Sequence, residues 1–368
     1  MQAMPPVPSQ EPPTAVERHL FGPGPKRMLA LDGGGVRGIL SIAILEAIEA
    51  SLERLHGAPV RLCDHFDLIG GTSTGAIIAT GLALGHSARE MRAFYHKLAP
   101  QIFRKPFFRF PGWQSQFDAE ALRRQLIGII GERTLDTPDL QTGLAITLKR
   151  IDASSSWVLT NNPRSKFWEN PADKAFLGNR HYSLANVVRA STAAPHYFDP
   201  QSIAIVDGEP PALFVDGGLT PHNDPSLQLF LLASLPGYRL NWPLGADKLT
   251  IVSIGAGGFR DRQNALAMAK ASSITIALRS LMQQIPDNQA LTLSLMSWLG
   301  AGGGPDWPIN SEVGSLADVA PPFGALFKYR RYDVRLEADW IDARLGLPAP
   351  AVELARARRI DDPEACRF

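Results

Sequence analysis

Cysteine is scarce in this 368-residue chain: Cys63 and Cys366 are the two present, and they lie far apart. They supply neither a disulfide framework nor metal-ligand spacing, which fits a reducing compartment. An excess of charge of one sign is missing too. Lys and Arg total 37 against 36 for Asp and Glu, a net charge of +1, so the basic surplus expected of a nucleic-acid-polymer binder is not there. No apolar run reaches the roughly 18 residues that a bilayer span needs. Met1 to Thr14 carries five prolines and no apolar stretch of signal-peptide type. The expectation is a cytoplasmic protein without a membrane span. What the chain does have is 45% hydrophobic and 20% charged residues, an ordinary globular balance in a chain long enough to bury a real core.

Residues 71 to 75 read Gly-Thr-Ser-Thr-Gly, a Gly-x-Ser-x-Gly. A short apolar run, Phe66 to Gly70, precedes them, and Ala76 to Ala83 can continue as a buried helix. Strand, sharp turn and helix is the context in which this pentapeptide becomes a nucleophile elbow, with Ser73 standing clear of the sheet and Gly71 and Gly75 giving it room. Without that context it is a Gly-rich turn. A second glycine cluster, Gly33-Gly34-Gly35-Val36-Arg37-Gly38, lies between a strand at 27 to 31 and a helix whose apolar face is Ile42, Leu45, Ile48, Leu52 and Leu55. Glu46, Glu49 and Glu53 fall between those positions and are expected to face water. Backbone N–H groups of such a loop converge at the positive end of the helix dipole. They suit an oxyanion hole. The loop also matches the G-x-G-x-x-G dinucleotide fingerprint, but the acidic residue at the required spacing, Glu53, sits inside a helical pattern, and the match fails on context.

A serine hydroxyl needs a base within hydrogen-bond reach. Asp216, in Val215-Asp216-Gly217-Gly218, ends a predicted strand as the Ser73 strand does. Parallel strands would bring both C-terminal ends to one sheet edge. Gly217 and Gly218 open the backbone around the carboxylate. A Ser–Asp dyad is therefore expected, with a Ser-His-acid arrangement using His196 or His222 as its rival. Further strands are expected at 144–148, 157–159, 213–215 and 249–254, and helices at 87–99 and 118–130, which together give an α/β layered fold with a largely parallel sheet.

Four blocks in order, Asp32 to Gly38, Gly71 to Gly75, Ala190-Ser191-Thr192-Ala193-Ala194-Pro195 and Asp216-Gly217-Gly218, resemble the motif blocks of patatin-like phospholipases. The resemblance covers about residues 26 to 260. It implies a three-layer α/β/α sandwich with a mostly parallel sheet and hydrolysis of acyl esters of phospholipids or other lipids, with no cofactor and no metal. By the same resemblance Ser73 is the nucleophile and Asp216 the base. The amides around Gly34 and Gly35, within the loop Gly33, Gly34, Gly35, Arg37 and Gly38, form the oxyanion hole, and 190–195 lines the site floor. One departure is visible: Asn223-Asp224-Pro225 stands where the family often has Asn-Asn-Pro. Some bacterial members of this type are switched on by cyclic nucleotides in antiviral defence, so a small-molecule activator is a further implication, although no residue in the sequence establishes one.

The chain thus divides into a flexible Pro-rich arm (1–25), a catalytic domain (26–260) and a helical extension (261–368) serving as lid or regulatory part. Partners are an acyl lipid and a peripheral membrane surface. Phe103 to Trp113 interleaves aromatic and basic residues and suits a headgroup region. Ile274, Leu278, Leu281, Met282 and Ile285, with Leu291 to Trp298 beyond, read first as core and second as a lid or acyl groove. A lipid-binding protein without turnover is the reading from another class.

Overall fold

The computed structural model describes residues 12–102, 119–260, 263–317, 319–348 and 350–362. Among these, nine strands form one sheet: β1 (Lys26–Leu31), β2 (Leu68–Thr72), β3 (Gly143–Arg150), β4 (Ser155–Thr160), β5 (Gln201–Ile203), β6 (Ala212–Asp216), β7 (Leu249–Ile254), β8 (Gly300–Ala301) and β9 (Phe327–Tyr332). Their order is β5-β6-β3-β2-β1-β7-β9-β8, with β4 also on β3. Neighbours from β3 through β2, β1, β7, β9 and β8 are parallel, while β4 and β6 run antiparallel to β3, and β5 antiparallel to β6.

Side chains alternate across a strand, and β1 shows what this does here. Leu29 and Leu31 enter one core with the helices Gly38–His56, Thr74–Ala83 and Leu184–Ser191. Met28 and Ala30 enter a second core with the helix Ser226–Ser234 and Met296 of the long helix Ser273–Leu299. A mostly parallel sheet covered on both faces gives the expected α/β/α layering.

Several expectations change in detail. The elbow strand spans Leu68–Thr72 rather than 66–70, so it runs straight into Ser73. The arm is helical over Ala15–Phe21, closed by a Thr14–Glu17 capping box, and Leu20 is buried under the Trp242 indole, whose N–H donates to the Leu20 carbonyl at 2.8 Å. The extension beyond 260 is not only helical: β9 pairs with β7 inside the central sheet. Glu49, expected in water, is buried and accepts the Ala88 N–H at 3.0 Å. Core placement fails for the first half of Ser273–Leu299, where Ile274, Leu278, Leu281 and Met282 are 60–71% exposed; burial begins further on, with Leu293 and Met296. The aromatic-basic stretch 103–113 lies outside the described residues.

Candidate active site

Ser73 sits between β2 and the helix Thr74–Ala83 with φ 55° and ψ −125°. Such a conformation costs a non-glycine residue about 1–3 kcal/mol, and the neighbours show how it is held. The Ser73 N–H donates to Ser191 Oγ at 2.9 Å, and that hydroxyl donates in turn to the Thr147 carbonyl at 2.7 Å. Side chains at the flanking glycines have no space: a Cβ would lie 2.2 Å from the Gly75 carbonyl at Gly71, and 2.2 Å from the Leu31 carbonyl at Gly75. The strand–turn–helix context is present.

Asp216 arrives by a route that differs from the one expected. β6 is antiparallel to β3 and takes over on β3 where β2 stops: Thr72 pairs with Thr147, and Asp216 with the next residue, Leu148. The C-terminal ends of β2 and β6 therefore meet head to head. Ser73 Oγ donates to Asp216 Oδ2 at 2.6 Å, and the Gly218 N–H donates to Asp216 Oδ1 at 2.7 Å. Gly217 backs onto the Thr147 carbonyl with no room for a Cβ, 2.3 Å away. Burial pushes the Asp216 carboxyl up to about 6, against the opposing pull of the Ser73 hydroxyl, the Gly218 amide and the Arg189 charge. Arg189, itself buried, donates to the Asp199 carbonyl at 2.8 Å, and desolvation lowers its pKa to about 10. A carboxylate of this kind is a far better base near neutral pH than an ordinary aspartate near 4.

The glycine loop lies on the other side of Ser73. Gly33 and Asn223 hold each other, the Gly33 N–H donating to the Asn223 carbonyl at 3.1 Å and the Asn223 amide to the Gly33 carbonyl at 3.3 Å. The Gly34 N–H donates to Thr74 Oγ1 at 3.1 Å, and the Val36 N–H to the Ile360 carbonyl at 3.0 Å. The Gly35 N–H has no acceptor among the described residues. Gly35 has φ +60°, and a Cβ there would lie 2.3 Å from the Ile360 carbonyl oxygen. Tyr95 donates its hydroxyl to the Gly35 carbonyl, and Gly38 opens the following helix against the same ring. Arg37 donates to the Gly257 carbonyl at 2.7 Å, tying the loop to the end of β7.

Behind the loop lies a cluster that the motifs only half announce. Arg331 on β9 is buried and donates to Asp32 at 2.9 and 2.6 Å, to Asp224 at 3.1 Å and to Asp333 at 2.8 Å. Gln289 adds a donor to Asp32 at 3.0 Å. Burial drives the Asp32 carboxyl well up, opposed by Arg331. Burial also opposes the charge on Arg331, but the three carboxylates more than restore it. Asp224, the departure from the family pattern, thus has its own cationic partner.

Neither histidine of the rival arrangement lines the cavity at Ser73. His196 is exposed on the following loop. His222 is partly buried, its Nδ1 without a partner among the described residues, and desolvation lowers its pKa. That cavity, of about 260 Å³, runs from Ser73, Asp216 and the glycine loop to an apolar wall of Ile77, Leu98, Leu122, Phe198, Met282 and Ile285. It can seat a carbonyl beside Ser73 with a hydrocarbon chain along the wall. The residues that sequence reasoning left without these roles are Thr74, Arg189 and Arg331, with Ser191 known only as site floor.

Fold and geometry define an α/β protein of the serine-elbow class, with a carboxylate rather than an imidazole bonded to the serine. Residues 29–230, more than half of the chain, match the family described as patatin-like phospholipase, and the chain belongs to that family. It is 32% identical over 209 residues to a cGAMP-activated phospholipase of Vibrio cholerae, covering 54% of this chain and 55% of that protein. Against Patatin group A-3 of Solanum tuberosum it is 29% identical over 246 residues, covering 62% and 60%. A cGAMP-activated phospholipase of Escherichia coli is 31% identical over 237 residues, covering 63% and 62%. The chain therefore spans 55–62% of the length of these relatives.

Proposed function

We propose that the chain is a lipid acyl hydrolase of phospholipase A type, working through a Ser73–Asp216 dyad. The observation that carries this reading is the 2.6 Å hydrogen bond from Ser73 Oγ to an aspartate whose pKa stands near 6. Ser73 Oγ attacks the acyl carbonyl carbon while its proton passes to Asp216 Oδ2. The carbonyl oxygen becomes an oxyanion, met by the Gly35 N–H and by the Gly34 N–H once Thr74 releases it. Collapse breaks the ester bond, and the leaving lysolipid alkoxide takes the proton from Asp216. Water then repeats the sequence on the acyl-enzyme: Asp216 removes its proton, fatty acid leaves, and the proton returns to Ser73.

The lipid surface is the proposed partner, and the long helix supports it. Its exposed half carries Ile274, Ile276, Leu278, Leu281 and Met282, and Met282 with Ile285 reaches the cavity wall. From 263 to 286 the chain has Lys270 and Arg279 and no Asp or Glu, a composition suited to anionic headgroups. The domain reading is proposed in amended form. Residues 26–260 carry the chemistry, and the part beyond 260 completes the sheet, props the glycine loop and borders the cavity. Regulation by a small molecule is carried over as a proposal from relatives whose names state cGAMP activation.

Fatty-acid release from vesicles of phosphatidylcholine and phosphatidylglycerol tests the reading, measured by mass spectrometry for wild type, Ser73→Ala and Asp216→Asn. Both variants are expected to lose at least about 10³-fold in rate, while His196→Ala and His222→Ala retain it. Turnover surviving in Asp216→Asn would move the base elsewhere. Vesicle binding without release by wild type, alone and with cGAMP, would favour a lipid-binding protein.

A further inference from the structure

The glycine loop beside Ser73 is covered by a segment from the far end of the chain. After β9 comes the helix Ala351–Ala357, in which Leu354 is the one buried residue. Residues 358–362 follow without helix or strand and bring Ile360 into the wall of the Ser73 cavity. The Ile360 carbonyl accepts the Val36 N–H at 3.0 Å. Contact with Gly35 is close: a Cβ there would lie 2.3 Å from the Ile360 carbonyl oxygen and 2.9 Å from the Ile360 Cβ. Backbone and side chain of Ile360 therefore both lie against the loop that is to receive an acyl carbonyl. The segment is lightly fastened. Arg358 donates to the Leu336 carbonyl at 2.8 Å and stands 5.2 Å from the Phe259 ring centroid, while the exposed Arg359 turns to Asp361 at 3.2 Å. Isolated hydrogen bonds of this kind are each worth little net against water. Ile360 is half-buried, and its neighbours in the cavity wall, Met282 and Ile285, belong to the long helix whose first half exposes apolar side chains.

We propose that Ile360 is a specificity-determining residue, lying on the glycine loop until an acyl lipid displaces it. An acyl group seated between Ser73 and the loop takes the space beside Gly35 that Ile360 covers and moves its carbonyl off Val36. Displacement breaks that hydrogen bond and uncovers an apolar side chain, and the arriving ligand has to offset both. A long acyl chain does so along the wall of Ile77, Leu98, Leu122 and Phe198, with apolar area that grows with its length. A lipid surface does more, because it receives Ile360 together with Met282 and Ile285. A short, dispersed ester brings a carbonyl and little else. Ile360 thus sets a threshold that small esters cross poorly and lipids cross readily. The substrate preference rests on the hydrolase reading, whereas the displacement of Ile360 by lipid does not.

The test compares kcat/KM on p-nitrophenyl butyrate with fatty-acid release from vesicles of phosphatidylcholine and phosphatidylglycerol, for the full chain and for Ile360→Ser. The variant should hydrolyse the butyrate ester about tenfold faster and change vesicle hydrolysis by less than about twofold. Arg358→Gln, which loosens the same segment from Leu336, should act in the same direction and decides the matter if Ile360→Ser does not fold. A fall in both rates would make Ile360 a structural prop of the loop and overturn the proposal. Rates that are unchanged, or that rise equally on both substrates, would overturn it as well. Amide hydrogen exchange in Ser73→Ala reads the displacement without turnover. Exchange at Val36 and over 358–362 should rise about tenfold when the vesicles are added, and unchanged exchange would overturn the displacement. Where no protein turns over either substrate, the hydrolase reading fails and exchange alone decides.

Discussion

Ser73 and Asp216 meet at 2.6 Å with no cation among the described residues hydrogen-bonded to the carboxylate, while three strands away Arg331 holds Asp32, Asp224 and Asp333 at once. Both clusters are buried at the edge where β1, β2, β7 and β9 end. At the dyad, burial wins over the few donors and the carboxyl is left near 6, ready to exchange a proton. At Arg331 one guanidinium bridges three carboxylates, although its Nε has no partner among the described residues and burial still drives the Asp32 carboxyl well up, and none of these side chains lines the Ser73 cavity. The difference is between a buried carboxylate held by a hydroxyl and an amide beside a cavity, and buried carboxylates tied together by a guanidinium away from it. The scaffold reaches the site physically, because Asp333 accepts the Gly257 N–H at 2.9 Å and Gly257 in turn receives Arg37 of the glycine loop.

The largest expected effect breaks the scaffold side. Arg331→Met strands three carboxylates in the interior and should cost about 3–5 kcal/mol in denaturant unfolding, with esterase activity falling alongside. Loss of activity at full stability would instead place Arg331 in the chemistry. On the dyad side the sign reverses. Asp216 has a folded pKa of about 6 against about 4 unfolded, so the folded chain holds its proton more tightly. That contribution to stability is complete below about pH 4 and is lost as pH rises through about 6. Asp216→Asn should therefore raise stability at neutral pH by up to about 3 kcal/mol, while abolishing turnover, and the gain should vanish near pH 4. Thermal melts at the two pH values check this; a variant less stable at neutral pH would mean the carboxylate is better satisfied than its surroundings indicate. The smallest effect on folding is expected at the exposed helix. Leu278→Gln with Leu281→Gln should change stability by less than about 0.5 kcal/mol each, yet weaken sedimentation with anionic vesicles roughly tenfold or more. Unchanged sedimentation would remove this helix from the lipid surface.

The two clusters also differ in how far the sequence reveals them. Local pattern announces the dyad: an apolar strand feeding Gly-x-Ser-x-Gly, a strand ending in Asp-Gly-Gly, and glycines whose neighbours leave no space. The meeting of Ser73 and Asp216 could be inferred, but from the wrong geometry, because strand direction depends on pairing partners and nothing local shows that β6 reverses. The scaffold is hidden by distance. Asp32 and Asp224 flank recognisable blocks, but their partner lies in Phe327-Lys328-Tyr329-Arg330-Arg331-Tyr332, inside a stretch expected to be helical. The alternation of aromatic and basic residues there is a strand signal. Only the sheet reveals that Arg331 points inward to carboxylates. Glu49 and the exposed leucines of the long helix fail for a related reason: periodicity gives a helix its faces but not what covers each of them.

The most direct test of the central claim is the pH dependence of acyl-enzyme formation with a chromogenic short-chain ester, in wild type and in His196→Ala and His222→Ala. The rate should rise with pH through an apparent pKa near 6 and then level off, identically in all three proteins. A midpoint that shifts or disappears in either histidine variant would contradict the Ser73–Asp216 dyad and give the proton to an imidazole.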